Sequence, residues 1–483
     1  MDVIQNSQNN PSKSVIVIGG GIGGLFSAWQ LLKKGFKVVV IERQSHLGGL
    51  STSIPYNEFK MDVGPHFITT PKNTELTKEL EELMYDEIIH VENIHKWYRV
   101  FFQNSVLNEY PPLYEVIFKN GVKSFLKSFF SYFLAKIKCS LTKSECQSAQ
   151  EYIICNYGNY LYKKWFKPYL DFYYGKNEHS IKTVQGKFPP LKIQDVFNKI
   201  RKRNKKVSNK NNNSGVNHWY FKNGIGSLVN KLTDNIETLG GKIMLSTIIK
   251  NIEHKKLLKE ILITQNSIEC KLDADIILYT TPFNVTKTWF ENYNHIDKPH
   301  KNASNGILIY LFIDNPKIVD WWLLQNYETS FSFFRITQQN YLSDSVSPFG
   351  KSLLCVEINT KDQAHLWDLE DNELIIKIKN EIAKMNIFDI KKIEDHKIFK
   401  FKNLYHINEL NGNSISEKIS QITNSLKNEF IVGVEVDAGT LVTKRVENAE
   451  KTEAPVSLGG MYLTLMQSKI IVEKIIDQNK SNN

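Results

Sequence analysis

The strongest pattern of apolar and polar positions in this chain lies near its N-terminus, between residues 14 and 42. Four apolar residues, 15–18, predict a buried strand and lead directly into a run of glycines. Apolar residues then recur at helical spacing, and a second apolar run, 38–41, ends at Glu42. The apolar helical positions are Leu25, Ala28, Leu31 and Leu32. The order of strand, glycine turn, helix, strand and acid predicts a βαβ unit with two parallel strands.

Helical and strand-like patterns also alternate further along the chain. Helical spacing over residues 228–239 and 461–476 predicts two more helices. Apolar runs at 306–313, 352–358 and 429–434 predict three strands. The chain is therefore predicted to be an α/β protein, and its 483 residues predict two domains.

The glycine turn after the first strand has the composition of a dinucleotide-binding site. Gly19 allows a sharp turn out of the strand, Gly21 leaves room for a pyrophosphate, and Gly24 lets the helix pack close to the sheet. The helix begins at Ile22 and Gly23, where unpaired N–H groups and partial positive charge favour phosphates. An ordinary glycine-rich turn is the alternative, but the surrounding strand, helix and acid favour the dinucleotide site.

The residues after the second strand narrow the choice of dinucleotide. Glu42 lies where a carboxylate accepts both ribose hydroxyls, which disfavours the 2′-phosphate of NADP. Arg43 follows directly, and a second glycine pair, Gly48 and Gly49, comes just before Leu50. Residues 61–67, MDVGPHF, then form a segment of D-x-G-x-H type.

These two segments resemble those of a flavoprotein superfamily that contains the FAD-dependent amine oxidases, protoporphyrinogen oxidases, carotenoid desaturases and UDP-galactopyranose mutases. Further blocks resemble this superfamily in the same order, at residues 157–162, 166–169, 174–175, 220–228, 240–243, 248–252, 274–282, 333–335 and 353–357. The resemblance implies a Rossmann-like FAD-binding domain of the glutathione-reductase-like type, with an interleaved α+β substrate domain. It also implies non-covalent FAD, because no cysteine follows Cys355 to form the flavin thioether of some amine oxidases.

The resemblance implies contacts to FAD beyond the glycine turn and Glu42. The predicted residues are Arg43, Gly48, Gly49, Leu50, Gly64, Pro65, His66, Ile248, Gly433, Glu435 and Met461. Glu435 is predicted as a ribityl or pyrophosphate partner, although relatives usually carry a different residue after the glycine. Met461 begins the last helix, whose N–H groups would face the N1–C2 carbonyl region of the flavin.

The resemblance also implies that the FAD-binding domain is discontinuous. It is predicted to consist of residues 12–94, 220–283 and 424–477. The substrate-binding domain would fill the two intervals, 95–219 and 284–423.

The chain has a net charge of +10, and two of its segments are notably basic. Residues 199–214 are predicted to form a basic mobile loop, with contact to a polyanion or acidic lipid as the alternative. Nucleic-acid binding is not predicted, because no recognised nucleic-acid module surrounds this loop. Residues 122–137 place apolar residues at helical spacing beside lysines. They predict a helix packed on its own domain, and a helix on a membrane surface or lipid substrate is the alternative.

Three residues are candidates for chemistry near the flavin ring. His66 is either a structural histidine bonded to backbone or a contact to flavin or substrate. Arg335 is either part of a structural salt bridge or, by resemblance to the mutases, a clamp on a substrate phosphate or carboxylate. Tyr405 either lines the pocket or belongs to the core.

The resemblance leaves the reaction open between two enzyme classes. The first is an FAD-dependent oxidoreductase of the amine oxidase and protoporphyrinogen oxidase class, which removes hydride from a C–N or C–C bond. The second is a UDP-galactopyranose mutase-like enzyme, which acts on a nucleotide sugar through the reduced flavin N5. A flavin-binding protein without turnover is a third, weaker interpretation.

The remaining composition predicts an ordinary cytoplasmic enzyme. The five cysteines show neither a CxxC pair nor metal-ligand spacing, which predicts reduced thiols, and the histidines predict no metal site. No apolar run reaches the roughly 20 residues that span a bilayer, and the polar N-terminus has no signal-peptide pattern. A small-molecule substrate and a cytoplasmic location are predicted, with peripheral membrane contact through residues 122–137 as an addition. The oligomeric state stays open.

Overall fold

The computed structural model describes most of the chain but not all of it. The described residues are 13–92, 94–108, 115, 121–142, 146–174, 184, 188, 190–191, 216–255, 258–290, 303–406, 428–432 and 460–481. The predicted basic loop 199–214 and the predicted FAD contacts Gly433 and Glu435 lie outside these residues.

Helices and strands alternate along the described residues, as an α/β protein requires. The longer helices are α1 (Ile22–Lys33), α2 (Glu75–Leu83), α3 (Gly121–Thr142), α4 (Ala149–Tyr157), α5 (Lys167–Tyr174), α6 (Gly226–Thr238), α7 (Asp371–Met385) and α8 (Gly460–Ser481). The first ten strands are β1 (Ser14–Ile18), β2 (Lys37–Ile41), β3 (Ser53–Tyr56), β4 (Phe59–Asp62), β5 (Ile68–Pro71), β6 (Ile88–His90), β7 (Tyr98–Phe102), β8 (Ser105–Leu107), β9 (Val216–Phe221) and β10 (Lys242–Met244). The others are β11 (Thr247–Glu253), β12 (Lys259–Gln265), β13 (Ile268–Ala274), β14 (Ile276–Tyr279), β15 (Ala303–Ile313), β16 (Leu323–Asn326), β17 (Arg335–Gln338), β18 (Ser352–Asn359), β19 (Ile393–His406) and β20 (Glu429–Ile431). Short helical turns lie at Gly49–Ser51, Ile94–Trp97, Asn159–Leu161, Tyr162–Phe166, Phe283–Thr286, Lys287–Trp289, Gln339–Tyr341, Asp344–Val346, His365–Asp368 and Ile390–Lys392.

A five-stranded parallel sheet is built on the N-terminal βαβ unit, with strand order β10-β2-β1-β14-β20. Side chains alternate across β1, so Val15 and Val17 face a core with α1, α6 and α8. Ile16 and Ile18 face the opposite core, formed with the antiparallel sheet β11-β12-β13. All five strands lie within the ranges predicted for the FAD-binding domain. The domain boundaries themselves remain a prediction.

A second, seven-stranded sheet is mixed, with strand order β19-β15-β18-β17-β16-β7-β8. Only the β16–β7 pair is parallel among its described neighbours. Along β15, Ile307, Ile309 and Leu311 face a core that includes α7. Leu308 and Tyr310 face a core with β4, the strand that precedes Gly64. This second core places the seven-stranded sheet against the segment predicted to pass the flavin.

Helices α3, α4 and α5 form a third, aromatic-rich region. A disulfide joins Cys139 of α3 to Cys155 of α4. The prediction of five reduced thiols is therefore wrong for these two, because the fold brings two cysteines 16 positions apart into contact. The predicted helix at 122–137 exists as α3 and packs on its own domain against α4, but it does so through Ser124, Phe125, Ser128 and Ala135 rather than through most of its apolar stripe. Its apolar stripe points largely away from the protein.

Candidate functional site

The glycine turn holds β1 and α1 unusually close together. A Cβ atom on Gly24 would lie 2.0 Å from the carbonyl oxygen of Gly19, so only glycine fits there. Gly19 itself has a φ of +112°, a conformation that other residues rarely adopt. These two positions fix the direction in which the first turn of α1 points.

The second glycine pair packs directly against this turn. The Gly48 N–H donates to the Gly20 carbonyl at 2.8 Å, and Gly21 and Gly48 form an isolated parallel bridge. A Cβ on Gly49 would lie 3.7 Å from the Gly21 Cα. A Cβ on Gly21, by contrast, would meet nothing within 4 Å. The two glycine segments, more than 20 positions apart, thus form one backbone cradle with an open side.

The start of α1 makes this cradle suitable for an anion. The first hydrogen bond within the helix is donated by Leu25 N–H to the Gly21 carbonyl at 3.0 Å. Neither a side-chain cap nor an acidic residue occupies the first turn. The N–H groups that precede Leu25, including those of Ile22 and Gly23, therefore have no partner within the helix. Their partial positive charge fits a pyrophosphate at the open side of the cradle.

Glu42 forms the acidic edge of the cradle. Its carboxylate accepts from Gly20 N–H at 2.7 Å and from Gln44 N–H at 2.8 Å. Its backbone carbonyl accepts from Thr247 N–H at 3.0 Å, which places the predicted contact Ile248 next to it. The side chain of Ile248 is largely exposed. The arrangement leaves a carboxylate and an apolar side chain beside the phosphate cradle, where the nucleoside half of a dinucleotide would lie.

The remaining predicted contacts of this half lie around the cradle rim. Arg43 and Leu50 are exposed. Helix α8 runs beside α1, because Ser468 Oγ donates to the Gly23 carbonyl at 3.1 Å. Met461, at the start of α8, packs partly buried against the same core. The structure thus brings α8 to the first turn of α1.

A second cluster lies beside Gly64 and contains two of the predicted catalytic residues. Arg335 donates through Nε and one terminal nitrogen to the two oxygens of Glu357, each at 2.6 Å. The Tyr405 hydroxyl donates to Glu357 at 3.2 Å. A Cβ on Gly64 would lie 3.4 Å from the Glu357 carboxylate. Glu357 is thus the shared partner of Arg335 and Tyr405, facing the segment predicted to pass the flavin.

Aromatic rings enclose this ion pair. The Arg335 guanidinium lies 5.1 Å from the Phe334 ring centre, and Phe334 contacts both Tyr405 and Tyr173 edge to face. Burial, reinforced by the Glu357 carboxylate, raises the pKa of the Tyr405 hydroxyl well above its usual value. Burial alone would lower the pKa of Arg335, but Glu357 outweighs it and raises the pKa. The cluster is therefore an internally neutralised pair in an apolar surround.

His66 and Pro65 lie at the rim of this cluster, half-buried. The His66 Nε2 lies 2.9 Å from the Val63 carbonyl, to which it must donate. Of the two interpretations of His66, this contact matches the backbone-bonded one. The flavin contact predicted for His66 and its neighbours remains a prediction.

Asp62 is a residue that sequence reasoning did not single out, and it ties the two halves of the site together. Its carboxylate accepts from Ser53 Oγ at 2.5 Å, Tyr220 OH at 2.6 Å and Ile225 N–H at 3.1 Å. Its backbone carbonyl accepts from Tyr310 OH at 2.7 Å. Burial raises the pKa of Asp62, although these donors and nearby His66 oppose the shift. The D-x-G-x-H segment contains Asp62, but the hydrogen-bond partners of Asp62 lie as far as 277 positions away.

A second buried charged cluster lies at the edge strand β20, just before the predicted contact Gly433. Glu429 accepts from Tyr279 OH at 2.8 Å, and Lys259 Nζ lies 3.2 Å from it. His254 Nδ1 lies 3.0 Å from the same carboxylate, and its Nε2 lies 2.9 Å from the Trp289 carbonyl. Both neighbours of the imidazole are acceptors, so both ring nitrogens must donate and His254 is protonated here.

Within the described ranges, no group of three or more His, Cys, Asp or Glu residues is placed to hold a metal ion. No helix in the same ranges is both long and apolar enough to cross a bilayer.

Residues 17–83, which contain the glycine cradle, match a family model described as an NAD(P)-binding Rossmann-like domain. Curated relatives include a 4,4′-diaponeurosporene oxygenase of Staphylococcus haemolyticus strain JCSC1435, 25% identical over 190 residues. That match covers 39% of this chain and 34% of the relative. The oxygenase of the same name from Staphylococcus aureus strain MRSA252 is 27% identical over 114 residues, which is 23% of each chain. The chain thus matches about a third or less of the length of these relatives.

Solved structures match over nearly the whole chain. A reduced UDP-galactopyranose mutase superposes with a TM-score of 0.72 at 15% identity, covering 92% of this chain and 96% of its own. A putative protoporphyrinogen oxidase from Exiguobacterium sp. 255-15 gives 0.65 at 14% identity, covering 96% and 98%. The predicted fold class and the predicted resemblance to this flavoprotein superfamily are confirmed.

Proposed function

We propose that this protein binds FAD non-covalently in the glycine cradle and is an oxidoreductase that removes hydride from a C–N or C–C bond of an uncharged substrate. The observation that carries the cofactor assignment is the contact between the Gly21 and Gly48 segments. It leaves one open backbone surface at the N-terminus of α1, bordered by the Glu42 carboxylate. Bound FAD would supply the hydride acceptor, and the chain would supply position and exclusion of water.

Each element has a definite task in this proposal. The first-turn N–H groups of α1 and the Gly48–Gly49 backbone would hold the pyrophosphate, and Glu42 would accept the ribose hydroxyls. The Gly64 segment would face the flavin ring. Asp62 would position that segment, because its carboxylate and carbonyl link β4 to α6 and to the seven-stranded sheet.

The state of Arg335 favours the oxidoreductase over the mutase. Its guanidinium is engaged at two nitrogens by Glu357, and aromatic rings surround the pair. A diphosphate that displaced Glu357 from these two nitrogens would leave the carboxylate buried without its partner, which costs roughly 3–5 kcal/mol. An uncharged substrate makes no such demand. The curated relatives are named for 4,4′-diaponeurosporene, which makes that compound the first substrate to test.

The cofactor assignment is tested by Gly21→Val. The Cβ of the added side chain would meet no protein atom within 4 Å, so the fold should persist while the side chain occupies the open side of the cradle and flavin is lost. Bound flavin is measured by its absorbance after purification and reconstitution with FAD. Gly35→Asn is the matched control, since Gly35 ends the same helix in open space with a φ of +83° that Asn tolerates. Full flavin occupancy in folded Gly21→Val protein would refute the site.

The reaction is tested with the flavin-loaded wild type under anaerobic conditions. Bleaching of the flavin by 4,4′-diaponeurosporene is the expected outcome, and bleaching only by a charged amine or a tetrapyrrole carboxylic acid would contradict the uncharged substrate. Conversion of UDP-galactopyranose by chemically reduced protein, with no net redox change, would instead establish the mutase reaction. Arg335→Ala separates the two further, since it would impair nucleotide-sugar binding selectively only if Arg335 contacts the diphosphate.

A further inference from the structure

Helix α3 turns its apolar face away from the protein. The side chains concerned are 42% to 79% exposed: Val122, Leu126, Phe129, Phe130, Phe133, Leu134, Ile137 and Leu141. At 100° per residue they occupy one continuous side of the helix, opposite the buried residues Ser124, Ser128 and Ala135. Contiguous exposed apolar surface of this kind marks an interaction site rather than ordinary surface composition.

The outward orientation is fixed by contacts on the other side of the helix. Ser124 Oγ lies 3.1 Å from Tyr160 OH, and Ser131 Oγ accepts from Tyr160 N–H at 2.8 Å. Lys136 Nζ donates to Asn156 at 3.1 Å, on the same side as the disulfide to α4. A polar, covalently tethered face therefore packs inward. Rotating α3 to bury the aromatic side chains would break these bonds.

The charge of α3 identifies the partner. Lysines lie within and beside the apolar face at positions 123, 127 and 138, and residues 121–142 contain no acidic side chain. We propose that α3 docks in the plane of a membrane that contains anionic lipids, with its aromatic face in the acyl–headgroup boundary and its lysines at the headgroups.

A second copy of this chain fits the same surface less well. Pairing two such faces would bring lysines together without acidic partners on α3, whereas anionic headgroups neutralise them. Crossing the bilayer is not required: α3 has 22 residues, but no helix of the described residues is both long and apolar enough to span a membrane. This inference does not depend on the proposed flavin chemistry.

The test is co-sedimentation of the full-length protein with vesicles of phosphatidylcholine alone and of equimolar phosphatidylcholine and phosphatidylglycerol. Binding is expected to the second composition, and added salt is expected to weaken it. The double variant Phe130→Ser/Phe133→Ser should weaken binding by about tenfold or more, because it removes two aromatic anchors. Lys123→Gln/Lys127→Gln should weaken binding to the anionic vesicles and reduce its salt dependence.

The matched control is Phe349→Ser, another exposed phenylalanine that lies outside α3. It should bind like the wild type, and circular dichroism checks that every variant is folded. Equal vesicle binding by the wild type and the folded double phenylalanine variant would overturn the proposal. It would also be overturned if the wild type ignores vesicles and sediments as a dimer that the same variant converts to a monomer.

Discussion

Helices α1 and α3 are both rich in apolar residues at helical spacing, yet they use them in opposite ways. Helix α1 is buried almost throughout, with Phe26 fully inaccessible in the core beneath the five-stranded sheet. Helix α3 packs largely through serines and an alanine and exposes Phe129, Phe130 and Phe133. The comparison teaches that apolar periodicity predicts a helix but does not decide which face the protein covers. The shape and bonding of the neighbouring elements decide that.

The largest expected difference between the two helices comes from one substitution made in each. Phe26→Ala should destabilise the protein by roughly 3–5 kcal/mol, because it leaves a cavity in a closed core. Phe133→Ala should change the free energy of unfolding by no more than about 0.5 kcal/mol, because its side chain is already 53% exposed. Chemical denaturation of both variants without lipid measures the contrast. A similar loss in both would mean that the α3 face is covered in solution.

The second expected effect tests what holds α3 in its orientation. Cys139→Ser removes the disulfide to α4, which closes a loop of 16 positions, and should cost roughly 2–3 kcal/mol. Thermal unfolding of the wild type and the variant, with and without a thiol reductant, measures this. Reductant should lower the stability of the wild type toward that of the variant. If reductant does not change the thermal stability of the wild type, the proposed role of the disulfide in holding α3 against α4 is contradicted.

The contrast between α1 and α3 also shows which structural features can be predicted from the sequence. The βαβ unit could be predicted because its determinants are local: apolar runs, a glycine turn and an acid lie within residues 14–42. The direction in which α3 faces could not, because it depends on hydroxyl contacts with Tyr160 and on a distant cysteine. No periodic pattern encodes such contacts.

The candidate site likewise has parts that the sequence predicts and parts that it does not. The first glycine segment can be identified from its own strand, turn and helix pattern, and the second only through its resemblance to the flavoprotein superfamily. The partner of Arg335 could not be identified, because Glu357 is brought opposite it by the pairing of β17 with β18. The role of Asp62 likewise depends on strands and a helix that are far away in sequence. Local sequence patterns do not predict side-chain partners that depend on how distant strands and helices pair.

The third expected effect exchanges a small residue on the packed face of α3. Ser128→Leu should cost roughly 1–3 kcal/mol, because Ser128 is buried on the face that packs against the protein and a larger side chain there overpacks it. Ser140→Leu is the matched control on the exposed side of the same helix and should be close to neutral. Urea denaturation of both variants measures the difference. A more stable Ser128→Leu protein would show that the packed face is loose and would remove the contrast with α1.

The smallest expected effect is a pH dependence of stability that arises at the edge of the sheet covered by α1. The sheet that α1 covers ends at the buried charges of Glu429 and Lys259 and at the more exposed His254, whereas α3 is held by hydroxyls, an amide and a disulfide. Burial alone would lower the pKa of His254, but its bonds to Glu429 and to the Trp289 carbonyl outweigh burial and raise it. Protonated His254 therefore stabilises the folded state fully below its usual pKa of 6.5, and this stabilisation is lost as the pH rises through the raised pKa. The wild type should exceed His254→Gln in stability by no more than about 1 kcal/mol near pH 6, with a smaller margin near pH 8. Thermal unfolding of both proteins across this range measures the margin, and a margin that grows with pH would mean that His254 is neutral in the folded protein.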